Sequence, residues 1–218
     1  MGPDPEEAHH PPEEEDPEDS LIPAAGGLSI PAGSVAFDVD GVVADTMDLF
    51  VRIARERYGV RNIRVEDITS YELSECLAMD PGIIGAIVEE LIHGTHAEPL
   101  CPMAGAARVL KEISGAGLPL VFVTARPRQG PIRDWLLSAL DLAPGAMEVV
   151  ATGSYDAKAG ILREAGRTWF VEDRLETCFN LHESGIRPVV FAQPWNRRPH
   201  PFPEVNSWEE LRGLLEGL

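Results

Sequence analysis

An apolar segment that ends in two carboxylates constrains this chain more than any other feature. Residues 34–37 are typical of a short buried strand, and Asp38, Asp40 and Gly41 follow directly. Aspartates are almost never fully buried unless they are paired or bind a metal. Because successive strand side chains point to opposite faces, Asp38 and Asp40 share a face while the chain stays extended. The pattern predicts a ligand site at the rim of a parallel sheet.

Strands and helices alternate from residue 118 onward. Apolar runs typical of buried strands are each followed by a stretch whose apolar residues have helical spacing. The predicted strands are 119–123, 149–151, 168–171 and 188–191, and the predicted helices are 131–139, 158–165, 176–183 and 208–215. This alternation predicts an α/β, Rossmann-like fold: a parallel sheet with right-handed crossovers and helices on both faces.

The segment between the first strand and the alternating pattern is helical by its apolar spacing. Apolar residues recur with helical spacing between Met47 and Tyr58 and again from Ile83 to Ile92. We therefore expect a small helical cap inserted after the first strand. The predicted organisation is a cap at 47–103 and a core domain at 34–46 and 104–218.

The chain is strongly acidic, with a net charge of −18. Residues 1–20 contain nine acidic residues and no Lys or Arg. The composition of residues 1–33, rich in Pro, Glu, Asp, Gly and Ala, predicts a mostly disordered acidic tail, with local packing of residues 21–31 on the body as an alternative for that stretch. An acidic body argues against binding to nucleic-acid polymers or anionic membranes. The acidic charge is compatible with a small phosphorylated substrate, because a bound metal ion can reverse the electrostatic field at the site.

Cysteine usage and hydropathy indicate the cellular compartment of the protein. Cys76, Cys101 and Cys178 form no CxxC pair and have no zinc-site spacing, which favours reduced thiols. No apolar run reaches the length of a membrane span, and the chain does not begin like a signal peptide. We therefore expect a cytoplasmic protein, and the sequence leaves its oligomeric state open.

Polar groups follow the predicted strands at four places. They are Asp38 and Asp40 in the first segment, Thr124 and Arg126 (with Ala125 between them) in the second, Lys158 in the third, and Glu172 and Asp173 in the fourth. The carboxyl ends of parallel strands converge on one site, where Asp38 and Asp173 would repel each other without a cation between them. Oxygen ligands suit Mg²⁺, and the donors of Thr124 and Lys158 suit phosphate. The set predicts covalent phosphoryl transfer to a carboxylate, with a second carboxylate as proton carrier.

These four segments, in this order, resemble the motifs of the haloacid-dehalogenase-like hydrolases. Asp38-Val39-Asp40-Gly41 is similar to the first motif, Thr124 to the second, Lys158 to the third and Glu172-Asp173 to the fourth. A narrower resemblance is to the 5'(3')-deoxyribonucleotidase-like branch. It rests on the small cap, on Thr124-Ala125-Arg126 and on two later stretches, 170–186 and 189–196.

The resemblance implies a role for each motif residue. Asp38 would attack phosphorus, and Asp40 would protonate the leaving oxygen and later take a proton from water. Asp38, the backbone carbonyl of Asp40 and Asp173 would hold Mg²⁺. Thr124 and Lys158 would bind the transferring phosphoryl group, so that catalysis is mainly positioning and electrostatic stabilisation.

The remaining candidates have more open interpretations. Glu172 is expected behind the metal ligands, paired with Lys158, although either acid of the fourth motif could touch the metal. Asp45 is either a further partner of the metal ligands or the N-cap of the next helix. Arg126, beside Ala125 in the substrate loop, either contacts the substrate phosphate or covers the loop edge.

The sequence thus predicts Mg²⁺-dependent hydrolysis of a small phosphomonoester, with a (deoxy)nucleotide as one candidate substrate. A phosphosugar mutase, which uses the same four motifs, is the first alternative. A non-catalytic binding protein that uses the acidic tail is the second. Phe50, Tyr58 and Tyr71 of the cap are candidates for stacking on a base, although Phe50 lies on a helical apolar stripe and core packing is favoured for it.

Overall fold

A parallel sheet forms the centre of the molecule. The computed structural model describes residues 27–143 and 145–218. The strands are β1 (Ile30–Pro31), β2 (Val35–Phe37), β3 (Leu120–Thr124), β4 (Met147–Ala151), β5 (Trp169–Glu172), β6 (Arg187–Phe191), β7 (Glu204–Val205) and β8 (Leu215–Glu216). Six of them form one parallel sheet in the order β4-β3-β2-β5-β6-β7, and β1 pairs with β8. The predicted α/β, Rossmann-like fold is confirmed.

Helices follow most of these strands. They are α1 (Thr46–Tyr58), α2 (Leu73–Cys76), α3 (Pro81–His93), α4 (Ala106–Gly115), α5 (Gln129–Leu140), α6 (Lys158–Glu164), α7 (Leu175–Glu183) and α8 (Trp208–Leu214), with 3-10 turns at Ala32–Ser34, Val65–Asp67 and Pro194–Asn196. Within the described part of the chain, none of them combines the length and the apolar character that crossing a membrane requires.

The two faces of the sheet have separate apolar clusters. Val35 and Phe37 point to the face covered by α4, α5 and α8, whereas Ala36 points to the face covered by α6 and α7. Because side chains alternate along a strand and both faces are covered, the central strands β2, β3 and β5 are apolar except for the polar residues that end β3 and β5. The prediction of helices on both faces is therefore confirmed.

Trp208 fixes the loop that follows β2. Its buried ring lies 5.5 Å from the ring of Phe37, centroid to centroid. Its indole N–H donates a 2.8 Å hydrogen bond to the carbonyl of Val42, as a buried indole nitrogen requires. The loop that carries the first pair of aspartates is thereby held against the core.

Helices α2 and α3, and α1 from its second residue onward, lie in the segment 47–103, called the cap below, and pack around a separate apolar cluster. The chain enters and leaves this segment at adjacent points. The backbone N–H of Asp45 donates to the carbonyl of Cys101 at 2.9 Å, and that of Met103 donates to the carbonyl of Val43 at 2.8 Å. The cap is therefore joined to the core through two neighbouring crossings above the end of β2.

The structured chain begins earlier than predicted. Ile30 is fully buried, and Ile30–Pro31 pairs in parallel with Leu215–Glu216. Of the two expectations for residues 21–31, disorder and local packing, the structure shows packing at Ile30–Pro31. Residues 1–26 lie outside the described part. The last helix ends at Leu214 because Leu215 pairs with Ile30. Two-residue strands are too short to give a period-2 pattern, which is why the sequence did not indicate them.

Candidate active site

The candidate site lies at the carboxyl ends of the central strands. β2 has β3 on one side and β5 on the other, so the strand order reverses around it. Open α/β sheets bind ligands in the crevice at such a point. Asp38 follows β2, Thr124 ends β3, Glu172 ends β5, and Lys158 opens the helix after β4. The structure thus places the four predicted segments at one edge of the sheet.

Lys158 is the centre of a buried charged group. Its Nζ lies 2.8 Å from Oε2 of Glu172 and 3.0 Å from Oδ1 of Asp38. All three side chains are buried, with Lys158 fully so. Burial opposes the charge on Lys158, but Asp38 and Glu172 outweigh it and raise the pKa of the ammonium group. Lys158 is therefore a fixed positive charge beside Asp38.

The hydrogen bonds of Glu172 use both of its carboxylate oxygens. Oε1 accepts from the backbone N–H groups of Asp173 and Arg174, both at 3.0 Å. Oε2 accepts from Lys158 at 2.8 Å. Glu172 is thus placed to orient Lys158 and the turn after β5, and its oxygens already have protein donors.

Asp38 and Asp173 have carboxylate oxygens without such donors. Ligand atoms of Asp38, Glu172 and Asp173 all lie within 4.8 Å of one another. Among the described residues, Oδ1 of Asp173 has no hydrogen-bond donor, and Oδ1 of Asp38 has only the ionic contact with Lys158. Oδ2 of Asp173 accepts from the indole N–H of Trp195 at 2.9 Å. Two buried oxygens left without hydrogen bonds, so close together, suit a hard cation such as Mg²⁺.

The pKa values of these two aspartates also indicate a place for a cation. Burial raises the pKa of Asp38 to about 8, with the charges of Glu172 and Asp40 adding to the rise and Lys158 opposing it. Burial, together with Glu172 and Asp38, raises the pKa of Asp173 well above its ordinary range. A positive charge in addition to Lys158 would therefore favour the ionised form of both carboxylates.

Asp40 points to a different set of partners. Its Oδ1 accepts from the Thr46 hydroxyl at 2.6 Å and from Nη2 of Arg126 at 2.7 Å, and its Oδ2 accepts from Nε of Arg126 at 2.9 Å. Burial alone would raise the pKa of Asp40, but Arg126 and Thr46 outweigh it and lower that pKa. Asp40 is thus paired with Arg126, apart from the group around Lys158.

Thr124 ends β3, and Ala125 links it to Arg126. Thr124 is fully buried, and its hydroxyl oxygen accepts from the backbone N–H of Arg126 at 3.2 Å. That contact leaves the hydroxyl hydrogen free to be donated elsewhere. Ala125 lines the cavity beside Asp38 and Asp40. Arg126 does not cover a loop edge, because it is only 5% exposed and is paired with Asp40.

Asp45 is the N-cap of α1. Its carboxylate accepts from the backbone N–H of Asp48 at 3.3 Å, which satisfies one of the free donors at the start of the helix. Among the described residues, this is the hydrogen bond that the side chain of Asp45 makes. Of its two predicted roles, the structure therefore shows the capping role.

Gly41 lets the turn after β2 pass close to Asp173. Its φ is 74°, a region that side chains other than glycine rarely adopt. A Cβ at this position would lie 2.2 Å from Oδ2 of Asp173. The glycine of the first motif is thus required both by the turn and by the proximity of the fourth motif.

A cavity of about 730 Å³ opens above Asp38 and Asp40, between the core and the cap. The cap side of its wall is largely apolar, with Met47, Phe50, Leu73, Ile84, Val88, Leu91 and Ile92. Phe50 is fully buried in the cap cluster and lines the cavity, so it has both a packing and a lining position. Tyr58, 37% exposed, is not among the lining residues.

Tyr71 and Arg174 separate this cavity from a second one of about 830 Å³, which reaches Asp173. The guanidinium carbon of Arg174 lies 4.4 Å from the ring centroid of Tyr155 and 5.1 Å from that of Tyr71. The two tyrosine rings meet edge to face at 6.0 Å. A cation–π stack thus joins the cap to the core at the mouth of the site.

Sequence reasoning missed several residues of this arrangement. Thr46 binds Asp40, Trp195 binds Asp173, and Arg174 and Tyr155 form the stack at the mouth. Trp195 lies in the 189–196 stretch that carried the narrower resemblance, and that was the available signal. No sequence signal indicated Thr46, because its position beside Asp40 depends on the turn through Gly41.

A family comparison identifies the chain. The family described as "5' nucleotidase, deoxy (Pyrimidine), cytosolic type C protein" matches residues 33–216, most of the chain. The chain belongs to this family. The resemblance to the nucleotidase branch of the haloacid-dehalogenase-like hydrolases is thereby confirmed, as is the prediction of a phosphatase-type enzyme. No curated protein matches this member of the family.

Solved structures similar to this nucleotidase-family chain have the same fold. A haloacid-dehalogenase-superfamily hydrolase from Ehrlichia chaffeensis is 12% identical with a TM-score of 0.51, and the alignment covers 86% of this chain and 97% of that one. CbbY from Rhodobacter sphaeroides, in complex with phosphate, is 19% identical with a TM-score of 0.53, and the coverage is 81% and 95%. A putative β-phosphoglucomutase from Bacteroides vulgatus is 19% identical with a TM-score of 0.52, and the coverage is 86% and 92%.

Proposed function

We propose that this protein is a Mg²⁺-dependent phosphomonoester hydrolase that acts through an aspartyl-phosphate intermediate on a small phosphorylated metabolite, with (deoxy)nucleoside monophosphates as the favoured class. One observation carries the proposal. It is the buried group of Asp38, Lys158, Glu172 and Asp173, in which Asp38 and Asp173 keep oxygens without hydrogen-bond donors. Burying three carboxylates and one ammonium group costs desolvation free energy. Such groups with perturbed pKa values are typical of catalytic sites, and a phosphoryl-transfer site would use all four.

The metal would be held by Asp38, Asp173 and the backbone carbonyl of Asp40. Glu172 is left out of this set because both of its oxygens accept from protein donors. When bound, Mg²⁺ supplies positive charge that stabilises the transferring phosphoryl group and keeps both aspartates ionised.

Asp38 is the nucleophile in this mechanism. A bond forms between its carboxylate oxygen and phosphorus while the bond to the leaving oxygen breaks, and Asp40, which enters this step in its protonated form, gives that oxygen its proton. Water then attacks the aspartyl phosphate, Asp40 takes a proton from that water, and inorganic phosphate is released. Splitting the reaction in two steps through a covalent intermediate lowers the difficulty of each step.

Lys158 and Thr124 would bind the oxygens of the transferring group. Lys158 lies 3.0 Å from Asp38 and is fixed there by Glu172, so its charge needs no rearrangement when the substrate arrives. Thr124 has a hydroxyl hydrogen free to donate, at the end of the strand beside β2. Donors held in place before the reaction are the main source of stabilisation in phosphoryl transfer.

The cavity supports an organic leaving group with an apolar face. Its volume of about 730 Å³ is in the range of small-molecule sites, and Phe50 and Tyr71 are aromatic members of its lining. A nucleobase offers such a face, and the family description names deoxynucleotides with a pyrimidine base. The largely aliphatic cap wall offers few partners for the hydroxyl groups of a sugar phosphate, which disfavours the mutase alternative.

Phosphate release tests the proposal. The substrates are nucleoside and deoxynucleoside monophosphates, sugar phosphates and p-nitrophenyl phosphate, each with and without Mg²⁺. Asp38→Asn is compared with Asp134→Asn, an exposed aspartate on α5. We expect release that requires Mg²⁺, is abolished in Asp38→Asn and is unchanged in Asp134→Asn. Turnover that needs a bisphosphate activator would support the mutase, and no release by the folded protein would support the binding protein.

A further inference from the structure

Arg126 joins the proton-carrying aspartate to the cap. Its guanidinium group donates twice to Asp40, from Nε at 2.9 Å and from Nη2 at 2.7 Å. Its Nη1 donates to the backbone carbonyl of Leu91, in the last turn of α3. Arg126 is only 5% exposed, so these contacts form away from bulk water. A planar fork with several donors can make all three contacts at once, whereas a lysine ammonium cannot match that geometry.

The contacts leave one place on Asp40 for proton exchange. An ionised carboxylate has about four acceptor positions, two on each oxygen. Oδ1 accepts from Thr46 and from Arg126, which fills both of its positions. Oδ2 accepts only from Nε of Arg126 among the described residues, which leaves one position open. Asp40 lines the cavity, so the open position on Oδ2 is available to a group bound there.

The contact with Leu91 links this arrangement to the cap. Leu91 itself lines the cavity, and its side chain packs in the cap cluster. A movement of α3 would therefore displace the guanidinium group of Arg126, which orients Asp40. Across the cavity mouth, the stack of Tyr71 on Arg174 is a second cap–core contact, but it does not touch Asp40.

We propose that Arg126 is a positioning residue that aims Oδ2 of Asp40 at the leaving oxygen when α3 of the cap is in place. This inference rests on the proposed function, since it assigns Arg126 a task in the proton transfer of that reaction. Arg126 would act on the substrate through Asp40 and not mainly by binding the phosphoryl group. Its loss should therefore matter most when the leaving oxygen needs a proton.

Leaving groups of different basicity test this role. A nucleoside monophosphate leaves as an alkoxide and needs the proton, whereas p-nitrophenolate leaves readily without one. The value of kcat/KM reports the steps up to departure of the leaving group, so it isolates the first proton transfer from hydrolysis of the intermediate. Arg126→Met and Arg126→Lys are compared with Arg128→Met, which removes an exposed arginine from the same loop.

We expect Arg126→Met to lower kcat/KM about 100-fold for the nucleoside monophosphate and less than about tenfold for p-nitrophenyl phosphate. Arg126→Lys should show the same selective loss to a smaller degree, and it serves as the test if Arg126→Met does not fold. Arg128→Met should leave both values unchanged. An equal loss on both substrates would assign Arg126 to phosphoryl binding and overturn the inference. A wild-type protein without Asp38-dependent phosphate release would instead overturn the proposed function and, with it, this inference.

Discussion

The indole N–H of Trp195 donates a 2.9 Å hydrogen bond to Oδ2 of Asp173, one of the two aspartates that face the proposed metal position. Trp195 is 7% exposed and also packs against the apolar cluster of the cap. The bond occupies one oxygen of Asp173 and leaves Oδ1 for a cation. The loop after β6 thus orients a proposed metal ligand that directly follows β5, which connects the C-terminal part of the chain to the site.

Trp195→Phe should weaken Mg²⁺ binding about tenfold, because partners that orient metal ligands typically contribute this much or more to affinity. Isothermal titration calorimetry measures the affinity directly and needs no substrate. The control is Trp135→Phe, which removes an indole hydrogen bond to the carbonyl of Leu100. Equal affinities in the two variants would show that Trp195 only packs.

Gly41→Ala should disrupt the site more than the strain of a positive φ alone would. The added Cβ would lie 2.2 Å from Oδ2 and 2.8 Å from Cγ of Asp173, so Asp173 has to move. Gly117 is a matched control, because its φ is 78° and a Cβ added there would have no neighbouring atom within 4 Å. Both variants should lose about 1 kcal/mol or more of unfolding free energy from the positive φ.

The phosphatase activity distinguishes these two glycines. Gly41→Ala should lose most of its phosphate release and bind Mg²⁺ more weakly, whereas Gly117→Ala should retain both properties. A Gly41→Ala protein with normal activity would mean that Asp173 does not need the position seen here.

Lys158→Met should destabilise the metal-free protein by about 3–5 kcal/mol, because it leaves Asp38 and Glu172 buried without their ammonium partner. Lys111, paired with Asp141 on the surface, provides the comparison. Lys111→Met should change the free energy of unfolding by less than about 1 kcal/mol. Urea unfolding at neutral pH measures both. A small effect of Lys158→Met would indicate that the two carboxylates are protonated when the lysine is absent.

The metal-free protein should lose stability as the pH rises. Burial, opposed by Lys158, raises the pKa of Asp38 from its ordinary value of 3.8 to about 8. A carboxyl group whose pKa is higher in the folded state binds a proton on folding between these two values. Its contribution to stability is therefore complete below the lower pKa and is lost as the pH rises through the higher one.

The measurement is the thermal unfolding midpoint of metal-free protein between about pH 5 and pH 9, relative to Asp38→Asn. We expect the wild-type midpoint to fall relative to the variant across this window, and Mg²⁺ to reduce the difference. A difference that is independent of pH would show that Asp38 stays ionised in the metal-free protein.

The sequence predicted the fold and the edge of the sheet where the motif residues meet. Apolar strands followed by helical stripes indicated the α/β class, and the carboxyl ends of parallel strands necessarily converge, so Asp38, Thr124 and Glu172 were expected together. The partners within the site depend on where side chains end, which no spacing determines. The pairing of Arg126 with Asp40 crosses 86 positions of the chain and uses a loop conformation that apolar patterns do not describe.

The chain ends illustrate a second limit of pattern reasoning. Ile30 has a Pro- and Gly-rich neighbourhood, which predicts disorder, yet its side chain is fully buried and its strand pairs with Leu215–Glu216. The pairing partner lies at the far end of the chain, so no local window contains both halves. Tertiary contacts here outweigh the local composition.

Ile30→Ala should lower the free energy of unfolding by about 2–4 kcal/mol, because it removes a fully buried side chain and leaves a cavity next to β8. Ile92→Ala, at a position that is 37% exposed, should cost clearly less. Urea unfolding monitored by circular dichroism compares the two. If both variants unfold at the same urea concentration, β1 contributes nothing to stability and the first strand of the core is β2, as the sequence alone predicted.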